Sequence, residues 1–359
     1  MGFFAQYLRP GNRPCMGVDI STTRVKLLEL DGRAGGYRVL SYASEALPPD
    51  AVANDQIADP EAVAATMRRA LERSGTRTRD AAIAVSGPTV ISKIIDMPAD
   101  LDETEMEQQI GFDAEQYIPH AIEEVNLDFQ VLERDPHNPS VNRVLLVACR
   151  RENIETRIGA LDMAGVNVRV VDVEEYALQN ACSLLISQTP ALAGENNVAV
   201  FDVGAHQTRL SVQHRGRSVY SRELSFGGHT LATRLVERHG LKDMDQLRGR
   251  MRTGELTSDI LAPDINDFAD RLANQIQRAL QFYISAASRD EAIDQVLLVG
   301  GATLFPGLEP ALAHRLQRPV SIGNPLAGML ASSAARRNHV DQEAPALMVA
   351  AGLALRSLQ

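Results

Sequence analysis

Asp19 and Asp202 are the residues whose setting first suggests chemistry. Asp19 lies in the apolar run Gly17-Val18-Asp19-Ile20, which meets the small polar turn Ser21-Thr22-Thr23 and leaves as Arg24-Val25-Lys26-Leu27-Leu28. Asp202 repeats the arrangement 183 positions later, in Val200-Phe201-Asp202-Val203, then Gly204-Ala205-His206-Gln207, then Thr208-Arg209-Leu210-Ser211. An acid near a strand end offers oxygens to a hydrated Mg²⁺, and a turn of small residues points backbone N–H groups at phosphate oxygens. One such hairpin is an ordinary β-turn. Two that face each other make a clamp for a polyphosphate, and the duplication implies a two-lobed protein that closes around ATP.

A third stretch fits the same ligand. The apolar strand 295–299 runs into Gly300-Gly301-Ala302-Thr303-Leu304, where the Gly-Gly pair, having no Cβ atoms, lets the backbone approach a flat group closely. Other chemistries are disfavoured. The eight histidines are scattered, with no His-Glu-x-x-His spacing. Neither a Gly-x-x-x-x-Gly-Lys-[Ser/Thr] loop nor a Gly-x-Gly-x-x-Gly fingerprint is present. The net charge of −10 argues against nucleic acid as a partner, because neutralising phosphates needs an excess of Lys and Arg. Trp is absent and aromatics make up 4%, which argues against a stacking surface for sugars or bases.

The elements that must position these residues read as α/β. Strands are expected at 26–30, 37–40, 81–86, 89–97, 124–132, 143–149, 168–173 and 295–299. Helices are expected at 60–74, from about 100 to 118, and at 151–164, 174–185, 230–239 and 265–285. The last of these keeps Ile265, Phe268, Leu272, Ile276, Ala279 and Tyr283 on one face. The expected division is a tail at 1–15, a first lobe at 16–190 with an inserted α/β subdomain at 87–168, and a second lobe at 191–359 with a smaller subdomain at about 230–290. A polar stretch from 187 to 197 links the lobes. Phe3-Phe4 and Tyr7-Leu8 before Pro10-Gly11 form either a frayed tail or a weak contact with a membrane surface or partner. Cys15, Cys149 and Cys182 fit neither a disulfide framework nor a zinc site, which points to a reducing cytoplasm, and no apolar run reaches the length of a membrane span.

These residues resemble the actin-like ATPase superfamily, a ribonuclease-H-like two-lobed fold. Asp19 to Lys26 is similar to its first phosphate motif, Asp202 to Thr208 to its second, and Leu297 to Leu308 to its adenosine motif. Asp172-Val173-Glu174-Glu175 is similar to its first connecting motif, and the early insert resembles the 1C-type subdomain of the division protein FtsA. Over nearly all of its length the chain resembles the PilM family of type IV pilus assembly. The supporting stretches are 17–29, Asp113-Ala114-Glu115-Gln116-Tyr117-Ile118-Pro119 through Phe129, Ala148-Cys149-Arg150-Arg151-Glu152-Asn153, and 170–178.

The resemblance implies roles residue by residue. Ser21, Thr22 and Thr23 would meet the β- and γ-phosphates, with Lys26 a nearby cation. Asp19 and Asp202 would order Mg²⁺ through its waters. Gly204, Gln207 and Thr208 would hold the opposite face of the triphosphate, and Gly227, Gly228, Gly300, Gly301, Ala302 and Leu304 would flank ribose and adenine. Asp245 and Arg248 stand where many relatives carry Glu and Lys on the adenosine-gripping helix. Glu174 would lie beside the γ-phosphate, as a base or as the orienter of a hydrolytic water. The resemblance also implies a cytoplasmic protein, peripheral to the inner membrane of a Gram-negative-type bacterium. There it would bind the N-terminal peptide of PilN between the insert and the first lobe. It would form part of a ring joining the PilN–PilO complex to the cytoplasmic motor ATPase or its regulators, with slow ATP hydrolysis at most. An FtsA-like division or filament protein and a small-molecule kinase on the same fold remain as alternatives.

Overall fold

In the two central sheets, successive side chains enter different cores. The computed structural model describes residues 15–33, 36–86, 89–189, 192, 197–215, 217–286 and 292–358. The Phe3–Leu8 patch, Gly87-Pro88, and positions 190–191 and 193–196 of the polar link lie outside the described residues. Strands β1 (Met16–Ile20), β2 (Arg24–Asp31) and β3 (Arg38–Ala46) form an antiparallel meander. The short β4 (Val52–Ala53) and β5 (Gln56–Ile57) lead to helix α1 (Pro60–Ser74) and strand β6 (Asp80–Val85). In α1, Asp59 accepts from the Ala62 N–H at 2.9 Å, Pro60 opens the first turn, and Gly75 closes the last at φ 69°.

The chain then makes a separate three-stranded sheet from β7 (Val90–Pro98), β8 (Val125–Arg134) and β9 (Val141–Arg150), in the order β7-β9-β8. Helix α2 (Glu103–Tyr117), opened by an Asp102–Glu105 capping box, covers one face through Met106, Ile110 and Ala114. Helix α3 (Arg151–Asp162) differs from expectation. The sequence places 151–164 in the insert, yet Ile154, Ala160 and Leu161 pack into the core of the first lobe with Val63 and Met67 of α1. Strand β10 (Asn167–Val173) rejoins the first sheet beside β6, and α4 (Glu174–Gln188) follows it.

The second lobe repeats the plan. Strands β11 (Asn197–Val203), β12 (Thr208–His214) and β13 (Arg217–Leu224) form the meander. Helices α5 (His229–Arg238), α6 (Met244–Arg252) and α7 (Ser258–Ala286) come next, then β14 (Gln295–Val299), α8 (Leu308–Leu316) and β15 (Val320–Ile322). The sheet orders β10-β6-β1-β2-β3 and β15-β14-β11-β12-β13 match strand for strand, with the first three strands parallel and the last three antiparallel in each. The internal duplication is therefore topological as well as sequential. Helix α7 begins seven residues before its expected start at 265, despite Pro263 inside it. Leu261 is fully buried in the first turn, and the buried Asp264 carboxylate in the second accepts from Arg238 at 2.5 Å, which anchors this end of the helix.

After β15 the chain returns to the first sheet, although the sequence places 191–359 in the second lobe. Strand β16 (Leu330–Ala331) pairs with β3, and α9 (Ser333–Arg337), α10 (Val340–Glu343) and α11 (Met348–Leu355) follow. Helices α4 and α11 fill the space between the sheets, packing Leu178, Leu185, Met348 and Leu355 against Leu28 and Tyr42 on one side and Val200 and Leu297 on the other. Among the described residues no helix is long and apolar enough to cross a membrane.

The seam is tight at backbone level. A Cβ on Gly352 of α11 would collide with the Ala177 carbonyl of α4, and one on Gly17 of β1 with the Ala350 carbonyl. Gly352→Val is therefore expected to lower stability by about 3 kcal/mol, because backbone cannot yield as a side chain does. Urea denaturation measures this, and an unchanged midpoint would show that the helix does not sit so close.

Candidate functional site

The twin hairpins place an acid opposite a base. In β1–β2 the register sets Asp19 across from Lys26, and the Lys26 Nζ lies 2.9 Å from the Asp19 Oδ2. In β11–β12 the same register sets Asp202 across from Arg209. The first turn closes when the Ser21 N–H and hydroxyl both donate to the Arg24 carbonyl at 3.0 Å, while the Arg24 N–H donates to the Ser21 Oγ at 3.2 Å. Thr22 and Thr23 are half-buried on it. The second turn closes with the Gly204 N–H donating to the Gln207 carbonyl at 2.9 Å.

Charges on the first hairpin bear on the acid of the second. Burial pushes the Asp202 carboxyl above its ordinary range, opposed by Arg209 and Lys26 and reinforced by Asp19. Glu174, in the first turn of α4, is buried and likewise raised by burial, with Arg209 acting against it. Arg209 forms an ion pair with Glu174 and a second with Glu223 at 3.0 Å. Carboxyls held high by desolvation gain from any cation brought beside them, which is the setting a magnesium-bearing triphosphate requires. Among the described residues no cluster of three or more His, Cys, Asp or Glu forms a metal cage. A divalent ion here would keep its waters and bind through them.

The adenosine side gathers around the end of β14. Gly300 has φ 94° and its N–H donates to the Pro345 carbonyl at 2.7 Å; a Cβ there would collide with the Asp202 carboxylate. Gly227 and Gly228 pack on the second turn, with the Gly228 N–H donating to the Gly204 carbonyl at 2.9 Å and an added Cβ on Gly228 meeting Ala302 at 2.8 Å. The positions 202, 204, 227, 228, 300 and 302 thus come together, with Leu304 at the end of the short helical turn Gly301–Leu304. Thr208 is fully buried and donates its hydroxyl to the Phe226 carbonyl at 2.7 Å, so it positions the 227–228 segment. Asp245 and Arg248, on α6, are both engaged in ion pairs. Arg24 reaches Asp245 at 2.5 Å, and Arg248 reaches Glu343 at 2.6 Å.

Three charged residues here were not anticipated. Arg209 was legible, since it stands seven positions after Asp202 as Lys26 stands after Asp19. Arg24 and Glu343 pair with residues far away in sequence, and no local pattern announces them. His206, on the second turn, stacks on His229 at 4.6 Å between ring centroids; its pKa is lowered by burial and by that neighbour.

Away from the cleft, a cavity of about 250 Å³ lies between the inserted sheet and the first lobe, lined by Thr89, Ile91, Val125, Cys149 and Asn153 among others. Both β7 and β8 are edge strands of that sheet.

A sequence profile of the type IV pilus assembly protein PilM family matches residues 17–358. Among solved structures, the PilM–PilN type IV pilus biogenesis complex superposes with TM-score 0.74 at 25% identity, over 97% of this chain and all of that one. The ethanolamine utilization protein EutJ of Carboxydothermus hydrogenoformans superposes with TM-score 0.56 at 15% identity, over 98% of this chain and 93% of that one, a likeness of fold. The cell division protein FtsA of Agrobacterium fabrum is 26% identical over 208 residues, which is 46% of this chain and 47% of that protein. The chain spans about half the length of the curated relatives it matches. The two-lobed α/β architecture is thus the actin-like one.

The Arg209–Glu174 pair yields a direct test. Arg209→Met strands a buried carboxylate and is expected to cost about 3 kcal/mol, while adding Glu174→Gln restores part of that loss. A urea double-mutant cycle reads the coupling, and strictly additive effects would contradict the pair.

Proposed function

The chain belongs to the PilM family of type IV pilus assembly proteins, and from that premise we propose that it is an ATP-binding scaffold whose nucleotide sets the closure of two lobes. The observation that carries this reading is the pair of matched hairpins, one in each lobe, that set Asp19 across from Lys26 and Asp202 across from Arg209 in the same register. Mg²⁺-ATP, when bound, supplies a compact multivalent charge that both lobes can grip at once. Asp19 and Asp202 would hold the ion through its waters, and Lys26 and the backbone of residues 21–23, 204 and 207 would meet phosphate oxygens. The Gly227-Gly228 and Gly300-Gly301-Ala302 backbones, with Leu304, would flank the nucleoside.

Turnover is proposed to be slow. Phosphoryl transfer needs a carboxylate aimed at the nucleophile, and the Glu174 carboxylate is committed to Arg209. The same commitment weighs against a small-molecule kinase, in which Glu174 would have to serve as base. The groove between insert and first lobe is proposed to take the cytoplasmic N-terminal peptide of PilN, by strand addition at an open edge and by seating side chains in the cavity lined by Ile91 and Val125. In this reading the protein lies at the cytoplasmic face of the inner membrane. There it would assemble as a ring that joins the PilN–PilO complex to the motor ATPase.

Purified wild-type protein is expected to release adenine nucleotide on denaturation, and Asp19→Asn and Asp202→Asn to lose it while keeping the wild-type circular dichroism. Nucleotide retained by both variants would overturn the clamp. Phosphate release by the isolated protein is expected to fall well below the ~1 per second of slow kinases. For the groove, Ile91→Glu is expected to weaken a PilN N-terminal peptide about tenfold in a fluorescence titration, roughly 1.4 kcal/mol. Unchanged affinity would place the peptide elsewhere.

A further inference from the structure

Arg24 sits at the junction of both lobes and does two things at once. Its main chain closes the first phosphate turn through Ser21. Its guanidinium, almost wholly buried, donates through Nε to the Ser44 hydroxyl at 2.7 Å and through a terminal nitrogen to the Ser44 carbonyl at 2.8 Å. These two bonds fix the plane of the fork. The remaining terminal nitrogen projects across the cleft to Asp245 on α6 at 2.5 Å. Partial burial opposes ionisation of Asp245, but Arg24 overrides it, aided by Arg248 and Arg73, and holds the carboxyl below its usual range. One turn further along the same helix, Arg248 pairs with the buried Glu343, which precedes the α11 seam. The buried Tyr42 hydroxyl, beside Ser44 and within reach of the charges of Glu343, Arg24 and Arg248, completes this polar cluster.

We propose that Arg24 and Asp245 form a latch across the cleft, which ties α6 to the first phosphate turn so that bound nucleotide leaves only after the pair separates. The proposal rests on the nucleotide reading above and assigns Asp245 to lobe closure in place of direct contact with ribose. Arg24 is a positioning residue. Opening the lobes must pull its guanidinium from Asp245 or drag the Ser21–Arg24 turn with it. Either event loosens the phosphate grip.

Dissociation of an ATP analogue labelled at the γ-phosphate, chased with excess ATP, tests the latch. Asp245→Asn, a change at a half-exposed side chain, and Arg24→Gln are each expected to speed release about tenfold, with the double variant no faster than the faster single. The ratio for Asp245→Asn is expected to persist with the 2′,3′-dideoxy form of the analogue. Its disappearance would assign Asp245 to the ribose and overturn the latch, as would additive effects or a rate within twofold of wild type. Amide hydrogen exchange without nucleotide separates this inference from the reading beneath it. Asp245→Asn is expected to speed exchange in residues 21–26 and 244–252. Unchanged exchange there overturns the latch, whereas faster exchange in a protein that binds no nucleotide upholds the tie between α6 and the turn and removes the nucleotide reading, with it the control of release.

Discussion

The structure depends on a seam where two helices meet backbone to backbone between two sheets. Gly352 of α11 lies against Ala177 of α4, and Gly17 of β1 lies against Ala350, with no room for a Cβ at either glycine. This closeness fixes the two sheets as one body along their inner faces, so that the ends of β1 and β11 are presented to the same space. Without it Asp19 and Asp202 would be acids on two unrelated hairpins. The C-terminal segment therefore belongs to the architecture of the site although it contributes few of its polar atoms.

Charge is arranged on that frame for specificity more than for stability. Burying a carboxylate or a guanidinium costs several kcal/mol, and pairing only offsets the cost. Apolar substitutes would hold the lobes as well, but would not impose an orientation. Arg209 meets Glu174 and Glu223, Arg24 meets Asp245, Arg248 meets Glu343, and Lys26 meets Asp19. Each pair satisfies a direction as well as a distance. Three of them join segments that lie far apart in the chain, so they select one relative setting of lobes and helices from many that would bury similar apolar area.

Local and distant information divide clearly. Helix α1 announces itself by Asp59, Pro60 and Gly75, and the period of Ile265 to Tyr283 marks most of α7, because caps and amphipathic spacing are written within a few residues. The twin hairpins were legible because duplication repeats both residue types and offset. What sequence could not reveal depends on partners remote in the chain. The return of β16 to β3 rests on two residues, too short to carry a pattern. The placement of α3 on the first lobe depends on which core Ile154 and Leu161 enter, and amphipathicity alone does not name the core. Thr208 illustrates a further limit. Its motif position says nothing of its buried hydroxyl, which serves the Phe226 carbonyl.

The first turn of α4 links the second lobe to the inserted sheet. It carries Glu174, bound to Arg209 on the floor of the cleft, and two residues on Tyr176, whose hydroxyl lies 3.3 Å from the Ser92 Oγ on β7 of the insert. Asp172, directly before it, pairs with Arg356 just after α11 at 2.9 Å. A rigid helical turn transmits displacement between its contacts because its own hydrogen bonds are stiffer than the side-chain links at either end. A shift of β7 relative to the first lobe must therefore be absorbed at Tyr176–Ser92 or passed to Glu174. The floor of the cleft and the wall of the insert groove share one short piece of backbone, and neither can be rebuilt without reference to the other.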